Sequence, residues 1–231
     1  MNTWEMSKIA VEAERALGLS IRQEFDLDAI PGILRDMGKE HVSPILDPSK
    51  NDFTPANCFW LIAEDDGKPV MVGGVRLDDL GQLDVKKFWA RMLARTFGEE
   101  PAAQYLPFPP DVLTGRIAYF GDLFSISGNG LTRAGRERLR LFTTVGHYLT
   151  KLEFRPSATY SFIQDRDIAR GTPALYGILD LHPFLYSWDV DPYPAGCPEW
   201  IACTPNDRMP YLMAGVHRFI EGLAHRKLEG S

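Results

Sequence analysis

The sequence predicts an α/β protein, a mixed β-sheet flanked by helices, on three observations. Two strand-like runs, FWLIAED and PVMVGGVRL, flank Asp66-Gly67, a dipeptide that accepts the positive φ of a tight hairpin turn. An apolar run over residues 117–126 leads through a polar turn with two glycines, residues 127–132, into a long amphipathic helix from about Arg133 to Phe154. Further strand-like and helix-like segments lie on both sides of this unit, and no internal repeat is visible.

From the N-terminus, Trp4, Ile9, Ala13, Ala16 and Leu17 recur at helical spacing between Glu12, Glu14 and Arg15, which gives a surface helix ending at Gly18. Leu19, Ile21 and Phe25 alternate with Ser20, Arg22 and Glu24, the period of a half-buried strand. Asp26 and Asp28 are placed to cap a helix running toward His41, with Leu27, Ile30, Ile33, Leu34 and Met37 on its inner face. Residues 41–57 read as loop, punctuated by Pro44, Pro48 and Pro55.

In the hairpin that follows, Gly73 and Gly74 signal a bulge or a close backbone neighbour. Residues 81–115 then form an insertion between the third and fourth strands. It holds a helix with Val85, Phe88, Trp89, Met92 and Leu93 on one face, then a loop rich in proline (Pro101, Pro107, Pro109, Pro110). Such an excursion is either a substrate lid or packing decoration. Beyond the long helix, Ala158–Gln164 is a strand and residues 165–176 a short helix broken by Gly171 and Pro173. Residues 179–188 and 199–203 are further strands. A terminal helix over residues 209–225 turns Leu212, Val216, Phe219, Ile220 and Leu223 inward, within a C-terminal segment spanning 207–231.

At 231 residues and 45% apolar content, the chain can bury the core of one domain spanning 1–231. Its net charge of −6 argues against duplex nucleic acid, which needs a basic face, so no nucleic-acid partner is expected. No apolar run approaches the ~20 residues of a membrane helix, and residues 1–20 are charged and amphipathic without a signal-peptide core. The expectation is a soluble, cytoplasmic protein with no membrane partner. Cys58, Cys197 and Cys203 are odd in number and lack C-x-x-C spacing, so they are expected as reduced thiols.

The glycine turn carries the strongest chemical signal. Gly128 and Gly130 permit positive φ and leave no Cβ between the backbone and an incoming anion. The N–H groups of residues 129–133, at the start of the helix, have no intrahelical partners and stand at the positive end of its dipole. Arg133, Arg136, Arg138 and Arg140 follow within about two turns. The segment reads as a cradle for a diphosphate, with Ser127, Gly128, Asn129, Gly130, Leu131, Thr132 and Arg133 as candidate contacts. The alternative is a simple turn before a solvated helix face.

Asp122, an acid inside an apolar strand, must be solvated, paired or functional, and is either a general base or the ion-pair partner of an arginine. Glu64 is a second carboxylate, for which solvent exposure beside the Asp66-Gly67 turn is the simpler account. His41, His147 and His182 lack the spacing of a zinc-binding helix, Asp189-Val190-Asp191 lacks the partners of a calcium loop, and there is no G-x-S-x-G elbow. Metal and serine-hydrolase readings fall away.

The order of elements over most of residues 19–203 resembles the GCN5-related N-acetyltransferase (GNAT) superfamily. Specific likeness is confined to two segments: PVMVGGVRL, similar to that family's second and third strands, and SGNGLT with its helix, similar to the acyl-CoA diphosphate loop Q/R-x-x-G-x-G/A. Ser127 stands where the family has Gln or Arg, Gly130 matches the central glycine, and Thr132 stands where Gly or Ala is usual. Thr132 can cap the helix while still offering its N–H.

The resemblance implies acetyl-CoA or another acyl-CoA lying between two splayed central strands. It implies that an N–H of Leu123, Phe124 or Ser125 polarises the thioester carbonyl, and that Tyr176, in TPALYGI, protonates the departing thiolate. Packing with a hydrogen-bonded hydroxyl is the other account of Tyr176. The implied activity is acyl transfer, most simply of acetyl, to a small-molecule or peptide amine by direct attack in a ternary complex. The departures at Ser127 and Thr132 motivate a second reading, a non-catalytic protein that binds CoA or a phosphorylated ligand. The helix arginines motivate a third, transfer from acyl carrier protein. The aromatic density of Phe88, Trp89, Tyr105, Phe108, Tyr186, Trp188, Tyr193 and Trp200 suits a bulky acceptor or a homodimer surface.

Overall fold

The hairpin around Asp66-Gly67 supplies the second and third strands, in spatial order, of a seven-stranded mixed sheet. The computed structural model describes residues 1–97, 111–126, 132–184 and 199–229. Strands β1 (Ser20–Glu24), β2 (Cys58–Asp65), β3 (Lys68–Asp79), β4 (Arg116–Ser125), β5 (Ala158–Gln164), β6 (Asp180–Phe184) and β7 (Glu199–Pro205) lie in the order β1-β2-β3-β4-β5-β7-β6. Neighbours are antiparallel except β4 and β5, which run parallel. A parallel pair needs a crossover, and the long helix α4 (Arg133–Phe154) supplies it. The other helices are α1 (Thr3–Leu17), α2 (Ile30–Asp36), α3 (Val85–Phe97), α5 (Asp165–Ala169), α6 (Thr172–Leu175) and α7 (Met209–Glu229).

Both faces of the sheet are covered, which explains why β2 reads as an unbroken apolar run. Trp60 and Ile62 point to one face, into a cluster with Ile30 and Leu34 of α2 and Trp89 of α3. Leu61 and Ala63 point to the other, into a cluster with Ala13 of α1, Phe142 and Val145 of α4, and Met213 of α7. The hairpin turn has positive φ at both central residues, Asp66 (48°) and Gly67 (76°), the conformation the dipeptide predicts.

Three local expectations are revised. Trp4 is 73% exposed and Met6 takes its place on the inner face of α1, because Met6 shares the i, i+3, i+4 spacing of the buried Ile9, Ala10, Ala13 and Leu17 and Trp4 does not. The second helix begins after Ala29 without a side-chain cap, with Pro31 in its first turn, while Asp26 instead accepts the N–H of Asp28. It stops at Asp36, short of His41, because Gly38 takes φ 79° and Lys39 N–H closes back on Leu34 O at 2.8 Å. The 165–176 segment is two helices, parted by Gly171 at φ 71°.

Cys58 and Cys203 are free and buried, and burial pushes both thiols up to about 12, so they are unreactive; Cys197 lies outside the described residues. Among the described residues no helix is long and apolar enough to cross a membrane, and no His, Cys, Asp and Glu cluster could hold a metal ion.

Candidate functional site

The sheet opens at its centre. β4 and β5 pair in parallel only from Ile117 with Ala158 to Tyr119 with Tyr160. At the next step Ser161 Oγ donates to Phe120 O, and beyond it the two strands part around a cleft of about 300 Å³. Residues 119–123 of β4 and 161–164 of β5 form its two sides, with Ser43 and Ile45 from the loop before β2, and Arg166, Asp167 and Tyr176 beyond β5.

The divergence has a local cause on β4. Gly74 pairs with Gly121 and Val72 with Phe124, so Asp122 and Leu123 together face the single residue Gly73. This is a β-bulge, and Asp122 occupies it at φ 56°. A Cβ on Gly73 would lie 2.6 Å from Leu123 Cδ2 and 2.8 Å from the Phe120 ring, so only glycine lets the bulged residues pack. The sequence signal at Gly73 and Gly74 is therefore both a bulge and a close approach.

Asp122 is fully engaged. Its Oδ1 lies 2.6 Å from Lys39 Nζ and its Oδ2 accepts the Ser43 N–H at 2.9 Å, so the carboxylate straps the loop before β2 across the cleft. Its partner is a lysine from α2's C-terminal turn rather than an arginine. Glu64 is ion-paired to Arg22 of β1 at 2.9 Å and takes no part in lining the cleft.

The same loop is anchored from below by a buried polar network. Arg76 donates to Asp78 Oδ1 through Nε (2.9 Å) and Nη2 (2.6 Å), and through Nη1 to Ile45 O (2.9 Å) and Asn51 Oδ1 (3.1 Å). Tyr160 Oη donates to Asp78 Oδ2 at 3.2 Å. Ile45 is thus fixed as a wall of the cleft by a guanidinium whose donors are largely satisfied.

Tyr176 lines the opposite wall, one residue past α6. Three successive carbonyls hold this turn to the core: Leu175 O accepts from Thr143 Oγ1 (3.0 Å), Tyr176 O from His147 Nε2 (2.7 Å) and Gly177 O from Thr204 Oγ1 (2.8 Å). A carbonyl only accepts, so His147 carries its proton on Nε2. Burial pushes the His147 pKa down to about 4, which keeps the ring neutral. Burial, with the Asp167 carboxylate adding to it, pushes the Tyr176 hydroxyl up to about 12.

Of the expected cofactor contacts, Leu123 lines the cleft, Phe124 packs toward the α2–α3 side, and Ser125 is buried opposite Met71. Ser127, Gly128, Asn129, Gly130 and Leu131 lie outside the described residues. Thr132 is the N-cap of α4, its Oγ1 accepting the Gly135 N–H at 3.0 Å, as the sequence anticipates. Arg133 pairs with Glu137 at 3.2 Å. Sequence reasoning missed Ser161, Lys39, Ser43 and Asp167, and read His147 as a packed or surface residue. The polar side chains of β5 and of the turn after it were the only available signal for Ser161 and Asp167.

No protein-family model matches the sequence, and no curated protein aligns with it significantly. Among solved structures the chain is similar to Arabidopsis thaliana NAA60 in complex with acetyl-CoA (10% identity, 82% of this chain and 99% of that one, TM-score 0.42). It is also similar to the Drosophila melanogaster polyamine N-acetyltransferase (11%, 80% and 100%, TM-score 0.45). A third is the CoA-dependent acyl-homoserine lactone synthase BjaI with SAM and isopentyl-CoA (15%, 88% and 89%, TM-score 0.43). With scores below 0.5, these similarities assign neither substrate nor activity to this chain.

Proposed function

We propose that the chain is an acyl-CoA-dependent N-acyltransferase that moves an acyl group, most simply acetyl, to an amine in a ternary complex. The observation that carries this reading is the fork in the sheet, where a bulged strand and Tyr176 line one cleft. A slender thioester arm fits such a cleft, because strand backbone and the apolar side chains of Ile45, Phe120, Leu123 and Phe162 line it together with polar groups that can orient a ligand. An acyl-CoA brings an activated carbonyl and a thiolate leaving group.

The chain supplies the rest. An N–H of Leu123, Phe124 or Ser125, turned by the bulge, stabilises the developing oxyanion. Tyr176, protonated at neutral pH, donates to the departing sulfur. In water a thiol has a pKa of ~8.5 and its thiolate is too weak a base for such a tyrosine. In the cleft the departing sulfur loses part of its hydration, which raises its basicity toward that of the Tyr176 hydroxyl. Residues 127–133 cradle the diphosphate, Thr132 capping α4 while its N–H stays on offer.

An incoming alkylammonium, of pKa ~10.4, must lose a proton before attack. Asp122 and Asp167 are the carboxylates on the cleft wall. Asp122 is engaged by Lys39 and by the Ser43 N–H, so its main role is to hold the bulge and the loop before β2. Asp167, paired with Arg170 at 3.9 Å, is the more available base.

Calorimetric titration with acetyl-CoA and CoA, repeated with Gly130→Val, tests the reading together with thiol release from acetyl-CoA over a panel of amines. Micromolar binding lost in the variant, and thiol release that requires an amine, are expected. Binding with no amine-dependent release from any acyl-CoA identifies a sensor instead of a transferase.

A further inference from the structure

Ser161 is the first residue of β5 beyond its pairing with β4. It stays opposite Ala202 of β7, while its hydroxyl reaches the other way and donates to Phe120 O of β4. Where two strands part, a main-chain oxygen lacks a ladder N–H on that side, and the serine supplies a donor. A hydroxyl carries one proton and two lone pairs. With its proton committed to Phe120 O, Ser161 can only accept from the cleft that it lines. No N–H or O–H among the described residues donates to it.

The place of this hydroxyl along β4 indicates its donor. The diphosphate cradle proposed at residues 127–133 and the N–H groups proposed for the carbonyl at residues 123–125 follow one another back along the strand toward the apex of the fork. From Leu123 to Phe120 the strand covers at most about 10 Å, at ~3.3 Å per residue. That span takes an oxyanion hydrogen bond, a reacting C···N pair ~3 Å apart and one further hydrogen bond. Ser161 Oγ therefore stands where an N–H of the attacking nitrogen points, with Asp167 and Tyr176 lining the same cleft.

We infer that Ser161 is a further catalytic residue, whose Oγ accepts the one N–H of the attacking amine that survives in the amide product and so selects primary over secondary amines. The assignment rests on the acyltransferase reading of the cleft. A primary alkylammonium carries three N–H bonds. One proton leaves to Asp167 and thence to solvent, which frees the lone pair. The nitrogen attacks the thioester carbon, so that the N–C bond forms and the C–S bond breaks. A second proton leaves the nitrogen as the tetrahedral intermediate collapses, and replaces the one that Tyr176 gives to the sulfur. The third stays on the amide. Ser161 holds it throughout, which aims the lone pair at the carbonyl carbon. A secondary amine has no third N–H, and its extra carbon would shut the Ser161 lone pairs off from water without offering a donor.

The test measures thiol release from acetyl-CoA with each amine of the panel that supports it, benzylamine and butylamine among those tried, against its N-methyl analogue. The parent is compared with Ser161→Ala, Ser161→Cys and Ser161→Thr. The parent is expected to favour the primary amine in kcat/KM by about tenfold or more. Ser161→Thr, which keeps the hydroxyl, should retain most of that preference. Ser161→Ala should lose it, with little change in KM for acetyl-CoA. Ser161→Cys, larger than serine but a weak acceptor, should lose it too, which separates the hydrogen bond from the removal of bulk and serves by itself should Ser161→Ala not fold. Equal use of a primary amine and its N-methyl analogue by the parent overturns the assignment. So does a preference that survives in Ser161→Cys, or one that Ser161→Ala leaves intact while turnover of both amines falls, the mark of a serine that only ties β5 to β4. In each of these cases the acyltransferase reading stands. No amine-dependent release from any pair overturns that reading, and this role with it.

Discussion

His147 donates from Nε2 to the main-chain oxygen of Tyr176 across 2.7 Å, joining the middle of the long crossover helix to the proposed acid. The ring is enclosed, stacks edge-on against Phe120 at 5.4 Å, and has no partner for Nδ1 among the described residues. A protonated ring would place an unpaired N–H and a charge in this core.

Stability should therefore depend on pH in a definite direction. His147 has a folded pKa near 4 against ~6.5 when unfolded, so the unfolded chain binds the extra proton between those values. The contribution is complete above pH 6.5 and is lost as pH falls toward 4, by about 3 kcal/mol. Urea unfolding from pH 4 to 7 measures it. His147→Gln should flatten the curve over that window, and an unchanged slope would remove His147 as its source.

Tyr176→Phe removes a hydroxyl and leaves the three carbonyl contacts around it in place. Turnover should fall about a hundredfold, with affinity for acyl-CoA unchanged, because a general acid acts on the leaving group in the transition state. A parallel loss of binding would make Tyr176 a packing residue.

Asp122→Asn keeps a residue that tolerates positive φ, so the bulge should survive. It strips Lys39 of its partner where the two side chains are only 14% and 9% exposed, and roughly 3 kcal/mol of stability should go with it. The acidic limb of the pH–rate profile should remain, as expected of a residue that positions the cleft. Its disappearance would make Asp122 the base.

Asp78→Ala leaves Arg76 buried without its anion, and should cost about 3–5 kcal/mol in chemical denaturation. Arg76 also holds Ile45 O, so the loop before β2 should show faster amide exchange than in the parent. Equal exchange would mean that the Lys39–Asp122 strap holds the loop by itself.

The bounds of α4, β5 and the hairpin were legible because each is written in neighbouring residues: a heptad-like apolar stripe, an alternating run, an Asp-Gly turn. Thr132 was legible as a cap for the same reason. The helix after β1 was read too long because the apolar spacing persists to Met37 while Gly38 ends it through backbone geometry. Asp122 could be flagged as an anomaly but not paired, since Ser43 lies 79 positions away and Lys39 further still.

The sequence by itself determined the strand and helix content, the place of the crossover and the concentration of arginine at its start. These follow from φ preferences and from side-chain periods of two and 3.6 residues, which act over a few positions. Only the tertiary structure decided that β4 and β5 part after Tyr119 and Tyr160, that Tyr176 lines the same cleft as the bulge, and that His147, 29 positions from Tyr176, holds its main chain there. Register, burial and hydrogen-bond partners between distant segments arise from satisfying all packing and polar contacts at once, and no local pattern encodes that solution.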